Sequence, residues 1–319
     1  MIAQFEKNER VCFIGDSITH NGTMCTAIFD VYAKRFPERG VVFYNCGIGG
    51  ATLRTGLAVL HDDALAYEPT SAVVMYGMND IGYALYDGST DEEKVREREK
   101  RLSDYFERYR IMVERLLAEN IRVILCSPTP YDEGQRCEAV NCVGSAAALR
   151  ICRDFVLSLA EEYGLGFVDL NTMMTELVLA LEAPDPTFSV IGPDRIHPTQ
   201  NGQFAMARFF LREQGIDVDV PTPLSVHDGS VKFDISEKVL AWRETEAKLR
   251  DLMAAECLVL GLDNGRSVPE RIEYIKNFIS DESGKRPYYI EISKKYLENK
   301  PNEAVLLRRV IRQAYEVYR

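Results

Sequence analysis

The chain reads Val-Cys-Phe-Ile-Gly-Asp-Ser-Ile-Thr over residues 11–19, close to its N-terminus. The apolar residues form a run of strand length, which ends in Gly15-Asp16-Ser17. A buried parallel strand brings a small polar side chain to the edge of a sheet in this way, so Ser17 is a candidate nucleophile. Gly, Asp and Ser are also turn formers, and the tripeptide alone is more often a plain turn.

Downstream of this stretch, strand-like and helix-like segments alternate along the chain. The hydrophobic patterns predict strands at 11–15, 41–46, 72–76, 121–126 and 166–170. They predict helices at 23–36, 53–67, 91–119, 144–163 and 200–212. Short apolar strands separated by helices indicate a three-layer α/β/α fold, with a five-stranded, flavodoxin-like parallel sheet covered on both faces.

The alternation stops after Pro221-Thr222-Pro223, which predicts a main domain at 1–222 and a helical C-terminal extension at 223–319. Helices are expected there at 236–256 and 301–318. Apolar and aromatic residues of the extension suggest a buried face: Ile275, Phe278, Tyr288, Tyr289 and Tyr296. We favour packing of this face on the main domain, with homodimerisation through these helices or capping of a substrate as alternatives.

Charge and composition exclude several classes of function. The 319 residues carry a net charge of −11, which argues against tracking of a nucleic-acid backbone and against attraction to anionic membranes. The basic residues Arg308, Arg309 and Arg312 are interpreted as a solvated helix face. No apolar run reaches the length of a membrane span. A small, neutral substrate is the simplest expectation.

The N-terminus and the cysteines indicate the compartment. Residues 1–10 contain no apolar segment of the kind found in signal peptides, so we expect a cytoplasmic protein. Eight scattered cysteines without a Cys-x-x-Cys pair predict reduced, structural thiols. Without His-x-His or an acidic cluster at ligand spacing, no metal and no other cofactor is expected.

Two further polar stretches follow predicted strands. Residues 45–52 form the glycine-rich loop Asn-Cys-Gly-Ile-Gly-Gly-Ala-Thr, whose backbone N–H groups can approach an anion closely. The loop lacks the spacing of a phosphate-binding loop, and its plain interpretation is a strand-to-helix turn. Asn79, in Gly77-Met78-Asn79-Asp80, offers two neutral hydrogen-bond donors, although a lone Asn is more often a turn or cap residue.

The last stretch, at 192–202, contains Asp194 three residues before His197. A carboxylate at this spacing can accept a hydrogen bond from one imidazole nitrogen and leave the other nitrogen free to act as a base. Pro193 and Pro198 stiffen the loop. A structural histidine is the alternative.

The four stretches together, in their order and spacing, resemble the SGNH or GDSL-type hydrolase family over roughly residues 9 to 213. The resemblance implies Ser17 as nucleophile, His197 and Asp194 as the rest of the triad, and Ser17, Gly50 and Asn79 as oxyanion-hole donors. Ile18 replaces the family's usual Leu, a harmless change. Gly49 adjoins Gly50, and we expect Gly50 to supply the donor.

The resemblance implies an ester hydrolase that works through an acyl-enzyme. Family members with similar sequences often remove small acyl groups, such as acetyl, from carbohydrates. A lysophospholipase or thioesterase-type lipolytic enzyme and an acyltransferase are alternatives on the same site. From other classes, a sugar-binding module and a protein that binds partners through its C-terminal helices remain open.

The connections at 80–90 and 127–141 are long enough to wall the site. Tyr83 and Tyr86 in the first, and Tyr131 and Asp132 in the second, suit a sugar platform, although such tyrosines more often serve packing. The remaining histidines are expected outside the site. His20 could line its rim but is interpreted as a loop or surface residue, and no site is recognisable around His61 and His227.

Overall fold

A parallel sheet organises the part of the chain that the computed structural model describes, namely residues 1–261, 266–281 and 287–299. Within these residues five strands pair in the order β2-β1-β3-β4-β5. The strands are β1 (Arg10–Gly15), β2 (Val42–Gly47), β3 (Ser71–Met75), β4 (Arg122–Cys126) and β5 (Gly166–Val168). The predicted three-layer fold with a five-stranded parallel sheet is confirmed.

Helices lie in the crossovers between the strands and after the last strand. The crossovers contain α1 (Ser17–His20), α2 (Thr23–Arg35), α3 (Leu53–Val59), α4 (Glu92–Ala118) and α5 (Ser145–Tyr163), and β5 is followed by α6 (Leu170–Glu182), α7 (Gln200–Glu213) and α8 (Pro223–His227). Single 3₁₀ turns lie at Pro37–Arg39, Leu65–Tyr67 and Tyr83–Leu85. The extension contributes α9 (Glu237–Leu258), α10 (Val268–Ser280) and α11 (Pro287–Glu298).

The central strands are buried on both faces, which explains their continuous apolar sequences. On one face α2 packs against α7, and Phe210 of α7 lies against Phe13 of β1, with ring centroids 6.0 Å apart. On the other face α3, α4 and α5 pack in sequence. There the hydroxyls of Tyr105 and Tyr109 donate to the carbonyls of Tyr76 and Val74 at 3.1 and 3.0 Å.

Two predicted boundaries were wrong. The helix expected at 53–67 ends at Val59, because the chain turns so that the carboxylate of Asp63 enters the protein interior. The strand expected at 166–170 ends at Val168, since Asp169 caps α6 by accepting from the N–H of Thr172 at 3.1 Å. Helix α6 was not expected from the sequence. The helix expected at 301–318 and the basic residues Arg308, Arg309 and Arg312 lie outside the described residues.

The extension packs on the main domain through α9. Its Glu246 carboxylate accepts from the N–H of Asn45 at 2.8 Å, which satisfies a backbone donor of the edge strand β2. Trp242 lies edge-on against Phe29 of α2, with ring centroids 5.0 Å apart. The expected apolar face is buried only in part, since Ile275 and Tyr296 are fully buried, Phe278 and Tyr289 are partly exposed, and Tyr288 is exposed. The division of the chain at residue 222 remains a prediction.

The cysteines and the helices bear on two further expectations, reduced thiols and the lack of a membrane span. All eight cysteines are free thiols, seven of them buried and Cys137 partly exposed. Within the described ranges, no helix combines the length and the apolar character needed to cross a bilayer.

A buried ion pair joins the extension to the main domain. The guanidinium of Arg250 in α9 donates to both oxygens of Asp63 at 2.6 and 2.7 Å, and the two side chains are 0% and 2% exposed. Removal of one partner deprives the other buried charge of this bidentate pair, which is far costlier than loss of an exposed pair.

We therefore expect Arg250→Met to lower the free energy of unfolding by about 3–5 kcal/mol. Urea denaturation followed by circular dichroism measures this loss. Arg110→Met, which removes the exposed pair with Glu162, is the matched control and should change stability little. Equal losses in the two variants would contradict a special role for the buried pair.

Candidate active site

Ser17 lies where β1 passes into α1. Asp16 is the N-cap of this short helix, and its carboxylate accepts from the N–H of Ile18 at 2.9 Å. Gly15 is required at the turn, because a Cβ there would collide with the side chain of Thr19 and lie 2.6 Å from the carbonyl oxygen of Met75. The serine is thereby presented at the carboxyl edge of the sheet, as the sequence predicts.

Ser17, His197 and Asp194 form a continuous chain of hydrogen bonds. The Oγ of Ser17 is 2.7 Å from Nε2 of His197, and Nδ1 of His197 is 2.5 Å from Oδ2 of Asp194. The other oxygen of Asp194 accepts from the backbone N–H groups of Ile196 and His197, both at 3.0 Å. The structure thus brings together the three residues that the sequence singled out, in the geometry of a nucleophile, a base and a group that orients the base.

The pKa values of the pair fit this arrangement. Burial opposes charge on Asp194, but the hydrogen bonds from His197 and the backbone outweigh it and lower the pKa of Asp194 to about 2. For His197, burial lowers the pKa, but the hydrogen bond to Asp194 and the negative charge of Asp194 raise it by more. The pKa of His197 therefore lies above its ordinary value. The carboxylate is therefore ionised and favours proton uptake by the imidazole.

Arg195 holds the loop that carries His197. Its backbone has a positive φ of 67°, and its guanidinium, only 5% exposed, donates to the carbonyls of Asp132, Gln135 and Ala139. The N–H of Asp132 returns a bond to the carbonyl of Arg195 at 2.9 Å. The connection at 127–141 therefore supports the histidine loop. Sequence reasoning missed this role, although a charged residue between Asp194 and His197 was visible.

The three groups expected to bind the oxyanion retain hydrogen-bond donors without a partner among the described residues. Among the described residues, the N–H groups of Ser17 and Gly50 donate to no acceptor. Asn79 uses one hydrogen of its Nδ2 on the carbonyl of Ala51 at 2.9 Å, which leaves the second hydrogen free. Gly49, by contrast, donates its N–H to Nδ1 of His20 at 3.1 Å. This difference supports Gly50, rather than Gly49, as the donor.

Two buried carboxyl groups beneath the site were not anticipated as site residues. Burial raises the pKa of Asp16 to about 6 and that of Asp80 to about 7, and the charge of Asp16 contributes to the second shift. Asp80 accepts from the N–H of Leu53 at 2.8 Å and so fixes the start of α3 after the glycine-rich loop. Their positions directly before Ser17 and after Asn79 were the available signal.

The walls of the site consist mainly of packed residues. Tyr86, Tyr131 and Asp132 are buried, and Tyr83 stacks on Tyr131 with ring centroids 6.4 Å apart. These side chains serve packing and do not form an exposed sugar platform. Within the described ranges, no group of three or more His, Cys, Asp or Glu side chains could hold a metal ion.

The three other histidines differ in their surroundings. The prediction that His20 is a loop or surface residue was wrong, since it ends α1 and its side chain is only 18% exposed. His61 is exposed beside Asp62. His227 stacks on Phe188 with ring centroids 4.2 Å apart. Only His20 therefore contacts a loop of the site.

Sequence comparisons place this site in a known family. The model of the GDSL-like lipase/acylhydrolase family matches residues 13–204, more than half of the chain. An acetylxylan esterase from Geobacillus stearothermophilus is 26% identical over 227 residues, which are 66% of this chain and 95% of that protein. The resemblance inferred from the four stretches is confirmed.

Solved structures agree with this assignment. The acetylxylan esterase Axe2 from Geobacillus stearothermophilus superposes with a TM-score of 0.55 at 26% identity over 67% of this chain and 97% of that chain. Several structures are catalytic mutants of Axe2 in which an aspartate, a serine or a histidine is replaced by alanine.

A second similar structure extends over the C-terminal helices. The gut microbial diltiazem-metabolizing enzyme BT4096 covers 99% of this chain and 96% of its own, with a TM-score of 0.75. At 20% identity this likeness concerns the fold alone. From the match over residues 13–204, the chain belongs to the GDSL-like lipase/acylhydrolase family and is a carboxylic ester hydrolase.

Proposed function

We propose that the protein is a serine esterase that removes acetyl groups from a carbohydrate, such as an acetylated xylo-oligosaccharide. The observation that carries the proposal is the hydrogen-bonded chain from Ser17 through His197 to Asp194, with distances of 2.7 and 2.5 Å. Three donors that follow the ends of β1, β2 and β3 have no other acceptor among the described residues: the N–H groups of Ser17 and Gly50 and the second amide hydrogen of Asn79.

The mechanism follows from these contacts. His197 takes the proton of Ser17 through Nε2 while the serine oxygen attacks the ester carbonyl, and Asp194 supports the positive charge that develops on the imidazole. The donors of Ser17, Gly50 and Asn79 stabilise the oxyanion. The imidazolium then gives its proton to the leaving alcohol, and the resulting acyl-enzyme is hydrolysed when His197 activates a water molecule in the same way.

Two observations support a substrate that carries a small acyl group on a sugar: the similarity to an acetylxylan esterase and the packing around Gly50. The relative named an acetylxylan esterase is matched over 95% of its length, so the likeness includes nearly the whole of that protein. In addition, Leu258 of α9 lies close to the glycine-rich loop, with Cδ1 3.0 Å from the position that a Cβ of Gly50 would occupy. An apolar side chain beside this proposed donor leaves less room there for a long acyl chain.

The first experiment compares the wild type with Ser17→Ala on p-nitrophenyl acetate and p-nitrophenyl octanoate, and on acetylated xylo-oligosaccharides with released acetate as the readout. We expect activity confined to the acetyl substrates and a loss of about 10⁴-fold or more in Ser17→Ala, because no other group can form the acyl-enzyme. Ser158→Ala, on the exposed surface of α5, is the matched control. A preference for octanoate would contradict the small-acyl proposal, and an active Ser17→Ala would overturn the nucleophile.

The dependence of activity on pH tests His197. As a base it must be unprotonated, and since its pKa is raised above 6.5, kcat/KM should rise with pH through a midpoint above 6.5. In Asp194→Asn the negative charge that raises this pKa is removed, so the midpoint should move to lower pH. The plateau should fall by roughly 10⁴-fold, because the imidazole is no longer held in the productive tautomer. An unchanged midpoint would argue against the coupling of the two residues.

Removal of the side-chain donor tests the oxyanion site. Asn79→Ala should lower kcat on p-nitrophenyl acetate by about 10²–10³-fold while KM changes little, since the oxyanion exists only in the transition state. Steady-state kinetics on the purified variant measure both constants. Asn277→Ala, at an exposed position of α10, serves as the control. A rise in KM without a fall in kcat would place Asn79 in ground-state binding instead.

A further inference from the structure

His20 links the glycine-rich loop to the C-terminal extension. Its Nδ1 accepts from the N–H of Gly49 at 3.1 Å, and its Nε2 faces Oδ1 of Asp251 in α9 at 3.5 Å. The side chains of His20 and Asp251 are only 18% and 13% exposed. Because Nδ1 accepts a hydrogen bond, the ring proton of the neutral imidazole is on Nε2, where it points to the carboxylate.

The extension reinforces this link at three points. Lys295 of α11 lies 3.3 Å from the second oxygen of Asp251, so two helices of the extension hold the carboxylate that His20 faces. Tyr288 of α11 places its hydroxyl against Gly49, where any side chain would collide with it. Leu258 of α9 packs against Gly50. Gly49 and Gly50 are thus both covered by the extension.

A loop of this composition needs such support. Two adjacent glycines have unusually broad backbone freedom, and Gly50 has a φ of 74°, a region that other residues rarely adopt. Donors stabilise an oxyanion best when they are already oriented before the reaction. If they must reorient as the negative charge develops, the free energy of that reorientation offsets part of the stabilisation. The hydrogen bond to His20 fixes the peptide between residues 48 and 49, and so anchors one end of the next peptide, which bears the N–H of Gly50.

We propose that His20 is a positioning residue of the esterase, which holds Gly49 so that the N–H of Gly50 stays directed at the oxyanion. The C-terminal extension supports His20 through Asp251 and the loop through Tyr288 and Leu258. This inference rests on the oxyanion role of Gly50 in the proposed function. It assigns to the extension a part in the chemistry of a site whose triad lies wholly in residues 17–197.

The test compares His20→Leu with His20→Asn, both assayed on p-nitrophenyl acetate. Leucine removes the acceptor, and we expect kcat to fall roughly 10- to 100-fold with KM near the wild-type value, in line with the cost of a small misplacement. Asparagine can place its Oδ1 near the position of Nδ1 and accept from Gly49, so it should recover most of kcat. Asp251→Asn, which removes only the charge, should give an intermediate loss.

Controls separate the outcomes. His61→Leu, at the exposed histidine, should leave both constants unchanged, and thermal unfolding of every variant shows that the fold persists. Wild-type kcat in His20→Leu, or equal losses in the leucine and asparagine variants, would overturn the positioning role.

Ser17→Ala and Asn79→Ala are assayed in parallel. If these two lose activity while His20→Leu does not, only the positioning inference fails; if Ser17→Ala stays active, the proposed function itself fails.

Discussion

The register of three neighbouring parallel strands is the constraint on which the site depends. β1 is central, and its last residue, Gly15, pairs with Gly47 of β2 on one side and Met75 of β3 on the other. The three strands therefore end at one level of the sheet. Ser17, the glycine-rich loop and Asn79 follow these ends within a few residues each, and the N–H of Ile48 bonds to the carbonyl of Gly15 at 3.0 Å. A shift of one residue in either pairing would separate these groups.

This dependence explains how much the sequence could predict. Strands such as β1 and β3 are short apolar runs that end in polar residues, and a parallel sheet must bring such ends together. Asp194 and His197 are three residues apart, so their contact is local and visible in the sequence. These residues could be singled out from the sequence because each depends on a strand end or on a single turn, and their catalytic roles remain a prediction.

The features that could not be predicted depend on contacts between distant residues. Nothing in the sequence around His20 indicates that Asp251 will face it, and the orientation of Arg195 depends on carbonyls about 60 residues earlier. Helix α6 was not predicted either, and its first residue, Leu170, was included in the strand expected at 166–170. These features depend on which strands and helices pack together. Local patterns in a single sequence do not show this packing.

The ion pair of Asp63 with Arg250 has a consequence for biosynthesis. The two residues are 187 positions apart in the chain. At roughly 5–20 residues per second, translation needs on the order of 10–40 s to pass from one to the other. During that time Asp63 lacks the guanidinium of Arg250, and the edge of β2 lacks the acceptor that Glu246 provides. The nascent main domain therefore stays incomplete at this edge, and its final consolidation waits until α9 has left the ribosome.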